Sequence, residues 1–279
     1  MNIPGFSPQK QGVFARGKKA VGRALRTLTG SQRETRRQRI RRGLRQVGTG
    51  LATTAAALAA YRFVLQPWHR TWGATKAEVE KSLPGDGLVP TPSYTTTRAI
   101  TIDAPPENVW PWLAQMGQGR GGFYSYAWLE NLFALDIHNA DHVVREWQDL
   151  APGDTVRLAP PEQYEGRAKM RVVHLEPHRS VVFGPAADTA EEFEDAARTG
   201  AGTWAFVLEP IEGGAKTRLI VRTRSRPWKA PRSVFYLYDP AHFIMERRML
   251  FGIKRRAETQ TRRRAADPSG DGERVPEPA

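Results

Sequence analysis

Apolar and β-branched positions first fall into a regular pattern at residues 94–102 (YTTTRAITI), where partial alternation predicts a strand. A helix should follow, because apolar residues recur at helical spacing from Val109 to Met116 and two prolines suit its first turn. Asp103 is a candidate cap for that helix. Residues 117–122 match the spacing G-x-G-x-x-G, but a dinucleotide-binding fingerprint follows a strand and opens a helix. We therefore interpret these glycines as a mobile hinge between two helices.

The pattern then changes from helical to strand-like spacing. Residues 123–135, rich in Phe, Tyr and Trp, are predicted to form a second helix. From residue 146 onward, short β-branched and apolar segments alternate with turn residues, which is typical of an antiparallel meander. An acidic, alanine-rich insertion at 186–202 predicts a surface loop or a short helix. The predicted strands are residues 155–158, 168–175, 180–183, 203–209 and 217–223.

A last, long helix is predicted over residues 241–261, after an Asp-Pro pair. Its apolar residues recur at i, i+4, so one face should lie on the sheet. These residues are Met245, Met249, Ile253 and Ala257. Residues 262–279 are polar, charged and rich in proline, and we predict that they form a disordered tail.

An apolar stretch precedes the domain at residues 47–65 and has about the 20 residues that a helix needs to span a bilayer. Its single charge, Arg62, lies near one end, where a long side chain reaches the headgroups. We predict a single transmembrane helix, with an alanine-rich helix packed on the domain as the alternative. Residues 66–93 are predicted to be a connector, in which Thr75 and Glu78 form a candidate capping box.

Charge is concentrated in residues 1–46, which carry nearly all of the formal net charge of +13 and have Glu34 as their only acid. We expect this tail to be disordered, and it could be simply solvated, bind anionic lipid, or bind nucleic-acid phosphates. Nucleic acid is the least favoured partner, because the tail has no interleaved aromatic residues and no recognisable DNA-binding module. Basic residues before a transmembrane helix predict a single-pass membrane protein with a cytoplasmic N-terminus. Without a spanning helix, the protein would be peripheral and cytoplasmic.

The order of elements, one strand, two short helices, antiparallel strands and a long C-terminal helix, resembles the SRPBCC superfamily of START-domain, polyketide-cyclase and birch-pollen-allergen-like proteins. The resemblance covers about residues 94–258 and is similar in detail to an uncharacterised bacterial branch that carries an N-terminal hydrophobic segment. The text that carries it is GQGRGGFYSYAWLENL (117–132), DIHNAD (136–141) and FIMERRMLFGIKRRAE (243–258).

This resemblance implies an α+β helix-grip domain over residues 94–261. In that fold a curved antiparallel sheet wraps a long C-terminal helix, two short helices close one end, and an apolar cavity lies between. The alternative is that the residues expected to bound the cavity simply pack a core. They are Tyr124, Tyr126, Trp128, Leu132, Trp204, Met245 and Met249.

Candidate chemistry is concentrated at residues 136–142. His138 with Asp136 or Asp141 could form a general acid–base pair, and His138 with His142 could bind a metal if the segment were helical. Otherwise these side chains brace the crossing from helix to strand. Glu246 on the last helix could face the cavity or form an ion pair. The absence of cysteine excludes disulfides, thiolate metal sites and cysteine nucleophiles.

These patterns lead to one preferred function and two alternatives. We expect a membrane-anchored domain that binds a hydrophobic small molecule or lipid, without a cofactor or a resident metal. The first alternative is an enzyme of cyclase, dehydratase or hydrolase type that uses His138 in the same cavity. The second is a basic-tailed protein that binds nucleic acid. No nucleophile elbow, phosphate-binding loop or zinc-protease motif is present.

Overall fold

The computed structural model describes residues 41–42, 49–50, 53–187, 189, 191–192, 202–226 and 232–266, with the backbone alone for 232–237. The chain divides into two units, residues 1–64 and 65–279. In the first unit, residues 41–42, 49–50 and 53–60 are helical. A π-helical turn spans Tyr61–Leu65.

The alternating segments of the sequence form one six-stranded antiparallel sheet in the order β1-β6-β5-β4-β3-β2. Every predicted strand is present, and each predicted end lies within two residues of the observed one. β1 pairs with β6, so that the first and last strands are neighbours. The strands are β1 (Tyr94–Ile102), β2 (Thr155–Arg157), β3 (Lys169–Glu176), β4 (Ser180–Pro185), β5 (Gly202–Ile211) and β6 (Lys216–Ser225).

Five α-helices of the second unit have both ends among the described residues. They are α1 (Gln66–Arg70), α2 (Lys76–Glu80), α3 (Pro106–Ala114), α4 (Ala127–Asn131) and α5 (Arg232–Ala266). Short 3₁₀ turns span Asp86–Leu88, Arg145–Trp147, Tyr164–Gly166 and Glu212–Gly214. The α+β arrangement of an antiparallel sheet with a long C-terminal helix fits the helix-grip fold that the resemblance implies.

The long helix α5 exceeds its predicted range at both ends. Its start was predicted after an Asp-Pro pair, but Pro240 lies inside the helix and the Asp239 side chain accepts hydrogen bonds from other elements. At the other end, the helix continues to Ala266, so residues 262–266 are helical and the predicted disordered tail is wrong there. The Asn108 side chain on α3 holds this end: its amide nitrogen donates to Thr261 Oγ1 at 2.8 Å, and its amide oxygen accepts from Arg264 at 2.5 Å. Residues 267–279 lie outside the described residues.

The predicted inner face of α5 is confirmed. Met249, Ile253 and Ala257 are buried in one cluster with apolar side chains of the strands, such as Ile102 and Phe206. This cluster is the main core and lies between the sheet and the helices. Burying apolar surface in this way is the dominant favourable contribution to folding.

The second predicted helix, 123–135, is much shorter than its aromatic pattern suggested. Tyr124 and Ala134 have positive φ angles (58° and 54°), which an α-helix cannot contain. Asn139 accepts a hydrogen bond from the Tyr124 backbone N–H (2.6 Å), and Asn131 accepts one from Ile137 (2.6 Å). These side chains replace helical hydrogen bonds, so only α4 remains helical.

Two local predictions near α3 are also wrong. Asp103 does not cap the helix; its carboxylate is exposed and lies near Lys216 (3.5 Å) and Lys254 (3.6 Å). The glycine segment is a closed loop instead of an open hinge, because Gly117 and Gly122 exchange two backbone hydrogen bonds of 3.1 and 3.0 Å.

The connector is packed against the outer face of the sheet. The capping box of α2 is confirmed, with the Glu78 N–H donating to Thr75 Oγ1 at 3.2 Å. Arg218 on β6 binds the Glu78 carboxylate at 2.7 Å, and this hydrogen bond lowers the pKa of Glu78 to about 2. Leu83 packs on Ala99 and other residues of this outer face. Both faces of the sheet are therefore covered.

The predicted membrane helix stays a prediction. Among the described residues, no helix combines the length and apolar character needed to cross a bilayer. Residues 47, 48, 51 and 52 of the predicted span lie outside the described residues. So do residues 1–40 and 43–46 of the basic tail, and residues 188, 190 and 193–201 of the insertion.

A testable consequence concerns Gly252, where α5 approaches the backbone of Tyr124. A Cβ at this position would lie 2.3 Å from the Tyr124 carbonyl oxygen, closer than any contact allows. Gly252→Ala should lower the free energy of unfolding by about 1–3 kcal/mol, the usual cost of overpacking, despite alanine's higher helix propensity. Urea denaturation measures the change. Gly87→Ala is the matched control, because nothing lies within 4 Å of its Cβ position. Equal stability of the two variants would contradict the close packing.

Candidate functional site

A cavity of about 410 Å³ lies among β1, β3, β5, β6, the first half of α5 and the segment around α4. Most of the exposed surface of its wall is contributed by apolar atoms, although polar side chains are numerous. The apolar side chains are Phe123, Leu135, Leu158, Met170, Trp204, Met245 and Met249. The polar side chains are Tyr94, Ser125, Glu130, Thr203, Thr223, Ser225, Tyr238, His242 and Glu246.

Three of the seven residues predicted to bound the cavity do so, namely Trp204, Met245 and Met249. The other four are not part of its wall. Tyr124 is buried elsewhere, between the Trp112 ring and the Arg256 guanidinium. Tyr126 lies beneath Arg248, while Trp128 (67% exposed) and Leu132 (71% exposed) face solvent. The resemblance implied these positions, but the backbone at Tyr124 is left-handed (φ 58°), so the segment is not the continuous helix that its aromatic pattern predicts.

The acidic and histidine residues predicted as catalytic do not reach the cavity. The His138 side chain is 81% exposed and its Nε2 lies 3.0 Å from Asp136 Oδ1. Asp141 binds Arg256 at 3.0 Å on the surface. Within the described ranges, no group of three or more His, Asp or Glu side chains is placed to hold a metal ion. Asn139, whose amide donates to the Ser125 carbonyl oxygen (3.2 Å), helps to brace the crossing.

Glu246 belongs to a buried ion pair with Arg98, which lies on β1. Both side chains are almost completely buried, and the guanidinium donates to Glu246 Oε2. Trp204 Nε1 donates to the other carboxylate oxygen at 2.9 Å. Arg98 Nε also donates to the His69 carbonyl oxygen at 2.8 Å. The Glu246 carboxylate is therefore paired and hydrogen-bonded on both oxygens, as a buried charge requires.

His242 separates this pair from a second buried acid. Burial lowers the pKa of His242, the charge of Glu246 opposes that shift, and the charge of Arg98 adds to it. Arg98 NH1 lies 3.1 Å from His242 Nδ1 and can only donate. The ring is therefore neutral, with Nδ1 as the acceptor and the proton on Nε2.

Asp239 is the second buried acid and joins α5 to the connector. Its carboxylate accepts hydrogen bonds from Gln66 (2.9 Å), Arg70 (2.9 Å) and the Tyr94 hydroxyl (2.9 Å). Burial alone would raise the pKa of Asp239, but the hydrogen bonds from Gln66 and Arg70 outweigh it, so the pKa is lowered. Burial and the neighbouring Asp239 charge raise the pKa of Tyr94, which stays a neutral donor.

Glu130, on α4, is the remaining acid of the cavity wall. Only 6% of the residue is exposed, and its Oε2 is buried without a hydrogen-bond partner. Burial raises the pKa of Glu130 to about 7. In contrast to Glu246, this carboxyl has no compensating partner in the described part of the chain.

Sequence reasoning missed Arg98, Tyr94, Asp239 and His242 as parts of the site. One signal was available, since Tyr94 and Arg98 are an even number of residues from Ile100 and Ile102 and therefore share their inner face of β1. An arginine at an inward position of a β-branched strand indicates a buried acidic partner. Which acid it meets depends on how α5 packs across the sheet.

Comparisons with known proteins add little beyond the architecture. No family model and no curated protein matches this chain. The Aha1 dimer from Colwellia psychrerythraea is 15% identical over 54% of this chain and 90% of that one, with a TM-score of 0.30. A protein from Nitrosomonas europaea is 12% identical over 60% of this chain and 96% of that one, with a TM-score of 0.34. A protein from Thermus thermophilus is 13% identical over 60% of this chain and 99% of that one, with a TM-score of 0.33. At these identities and TM-scores, the likenesses support no argument about function.

The buried ion pair gives a stability prediction. Arg98→Met should lower the free energy of unfolding by about 3–5 kcal/mol, because it leaves the Glu246 carboxylate buried without its cation. The double variant Arg98→Met/Glu246→Leu should lose less, since neither charge remains. Urea denaturation of both variants tests this order. Lys76→Met, which removes an exposed pair with Glu80, is the control and should change little. A double variant less stable than Arg98→Met would contradict the explanation.

Proposed function

We propose that this domain binds a hydrophobic small molecule or lipid in the cavity between the sheet and α5. The observation that carries the proposal is the cavity itself, about 410 Å³, whose surface is mainly apolar and is interrupted by polar groups. Sites for small molecules generally have this size and composition.

The side chains that form the wall support this function. Met245 and Met249 are flexible thioethers that adapt to differently shaped apolar ligands. The Trp204 N–H is bonded to Glu246, which leaves the aromatic ring as apolar surface for a ligand. Arg98 fixes Glu246 in turn, so the polar part of the wall is held in place before a ligand arrives.

We further propose that the domain is a member of the SRPBCC superfamily, from the bacterial branch with an N-terminal hydrophobic segment. The motifs at 117–132, 136–141 and 243–258, together with the order of strands and helices, support this assignment. Catalysis that depends on His138 is less favoured than binding, because that side chain is exposed and outside the cavity wall.

Occlusion of the cavity tests the binding function. Met245→Trp enlarges a side chain of the wall and should weaken binding of decan-1-ol by about tenfold or more, because the indole takes ligand volume. Isothermal titration calorimetry measures the affinity. Ile244→Trp makes a comparable change at the next position, which is exposed, and should leave the affinity unchanged. Absence of decan-1-ol binding to the unmodified chain would contradict the proposal.

We also propose that residues 47–65 anchor the protein in a membrane, with the basic tail on the cytoplasmic leaflet. The length of the apolar segment and the cluster of Lys and Arg before it support this location. The full chain should stay with the membrane fraction in high salt and need detergent for release. Release by salt alone would instead indicate attachment through charge. Release by nuclease would indicate nucleic acid as the partner of the tail.

A further inference from the structure

Among the described residues, Glu130 is the buried acid of the cavity region that has no side-chain partner. Glu246 is paired with Arg98, and Asp239 is bound by Gln66, Arg70 and Tyr94. Glu130 lines the cavity with 94% of its surface buried, and its Oε2 accepts no hydrogen bond. A buried polar group without a partner costs free energy, which a ligand that supplies a donor would recover.

No cation in the described wall offsets this carboxyl. The wall contains two glutamates and neither Lys nor Arg among the described residues, although the chain has 42 Lys and Arg against 29 acids. Arg98 is engaged with Glu246, and His242 is neutral. The Arg248 guanidinium on α5 lies over the Tyr126 ring. Among the described contacts, it forms no ion pair with Glu130. The wall is therefore suited to a positive charge and opposed to a negative one.

The two tyrosines of the wall do not add to its charge. Burial raises the pKa of Tyr94 and keeps it a neutral hydroxyl that donates to Asp239. The pKa of Tyr238 is likewise raised by burial. Among the described residues of the wall, Glu130 is the acid whose charge no cation neutralises, because Arg98 neutralises Glu246.

We propose that the cavity takes an amphiphile with a primary ammonium group, held by the Glu130 carboxylate while its apolar part lies along Trp204, Met245 and Met249. This inference rests on the proposed function and specifies the ligand class. An ammonium group donates up to three hydrogen bonds and so satisfies both oxygens of the carboxylate. The carboxylate of a fatty acid would be repelled by the glutamates of the wall, which offers it no Lys or Arg among the described residues.

Binding of such a ligand is linked to the protonation of Glu130. A free alkylamine has a pKa similar to that of lysine, about 10.4, and arrives as a cation at neutral pH. Burial holds the pKa of Glu130 at about 7, so at pH 6 the carboxyl is largely protonated and must release its proton to solvent when the ammonium binds. The affinity should therefore rise with pH up to about 7 and level off above it.

Decylamine and decan-1-ol are matched probes that differ in the charged group. We expect the decylamine affinity of the full chain to rise by up to about tenfold per pH unit below pH 7, whereas decan-1-ol affinity stays constant. Calorimetry in two buffers of different ionisation enthalpy should also detect one proton released per decylamine bound at pH 6. Decanoate should bind more weakly than either probe.

Glu130→Gln should abolish both the increase of decylamine affinity with pH and the release of a proton on binding. It should lower the decylamine affinity at pH 8 by at least about tenfold and leave the decan-1-ol affinity unchanged. Glu107→Gln removes an exposed carboxylate from the first turn of α3 and is the matched control. It should keep the pH dependence. If Glu130→Gln does not fold, the pH dependence and proton release of the unmodified chain still decide the question.

The possible failures are distinguishable. If decan-1-ol binds but decylamine shows neither preference nor pH dependence, the ammonium inference is wrong and the binding function stands. If neither probe binds, the proposed function itself is wrong. A decylamine affinity that does not vary between pH 6 and 8 would show that no carboxyl with a pKa near 7 takes part in binding, and would overturn the inference that Glu130 holds the ammonium group.

Discussion

The ion pair between Arg98 and Glu246 is the interaction on which the inner side of this domain depends. It joins β1 to α5 beside the cavity, and Trp204 donates its N–H to the same carboxylate. Two charges this deeply buried persist only when their geometry and hydrogen bonds compensate for lost solvation. Arg98 binds Glu246, His242 and the His69 carbonyl oxygen, while its Nη2 is buried without a hydrogen-bond partner among the described residues. The pair therefore fixes the position of the helix relative to the sheet.

The connector completes the domain on both sides of the sheet. Gln66 and Arg70 bind Asp239 on α5, while Glu78 and Asp86 bind arginines of β6 on the outer face. A segment that the sequence marks as a linker is thus held by charged hydrogen bonds at several points. Leu83 of the connector packs with Ala99 of β1 and Ile220 of β6 on the outer face of the sheet.

The two glutamates of the cavity wall show how environment separates identical side chains. Glu246 is held by Arg98 and Trp204, and its role is structural. Glu130 is equally enclosed but has no such partner, and burial alone shifts its pKa toward 7. Paired titratable groups whose environments differ in this way commonly mark functional sites. The difference arises because Glu246 meets an arginine of β1, whereas Glu130 meets no cation among the described residues.

Local pattern determined the strands, the apolar face of α5 and the capping box of Thr75 and Glu78, because these depend on neighbouring residues along the chain. The family resemblance, and not local pattern, indicated Trp204, Met245 and Met249 as cavity residues. Pattern alone could not end the helix predicted at 123–135, where Asn131 and Asn139 form hydrogen bonds to the backbone. Pattern also could not predict that Arg98 pairs with Glu246, 148 residues away, or that Glu130 has no partner among the described residues. Tertiary structure decided these features, because a buried charge is defined by which distant side chains surround it.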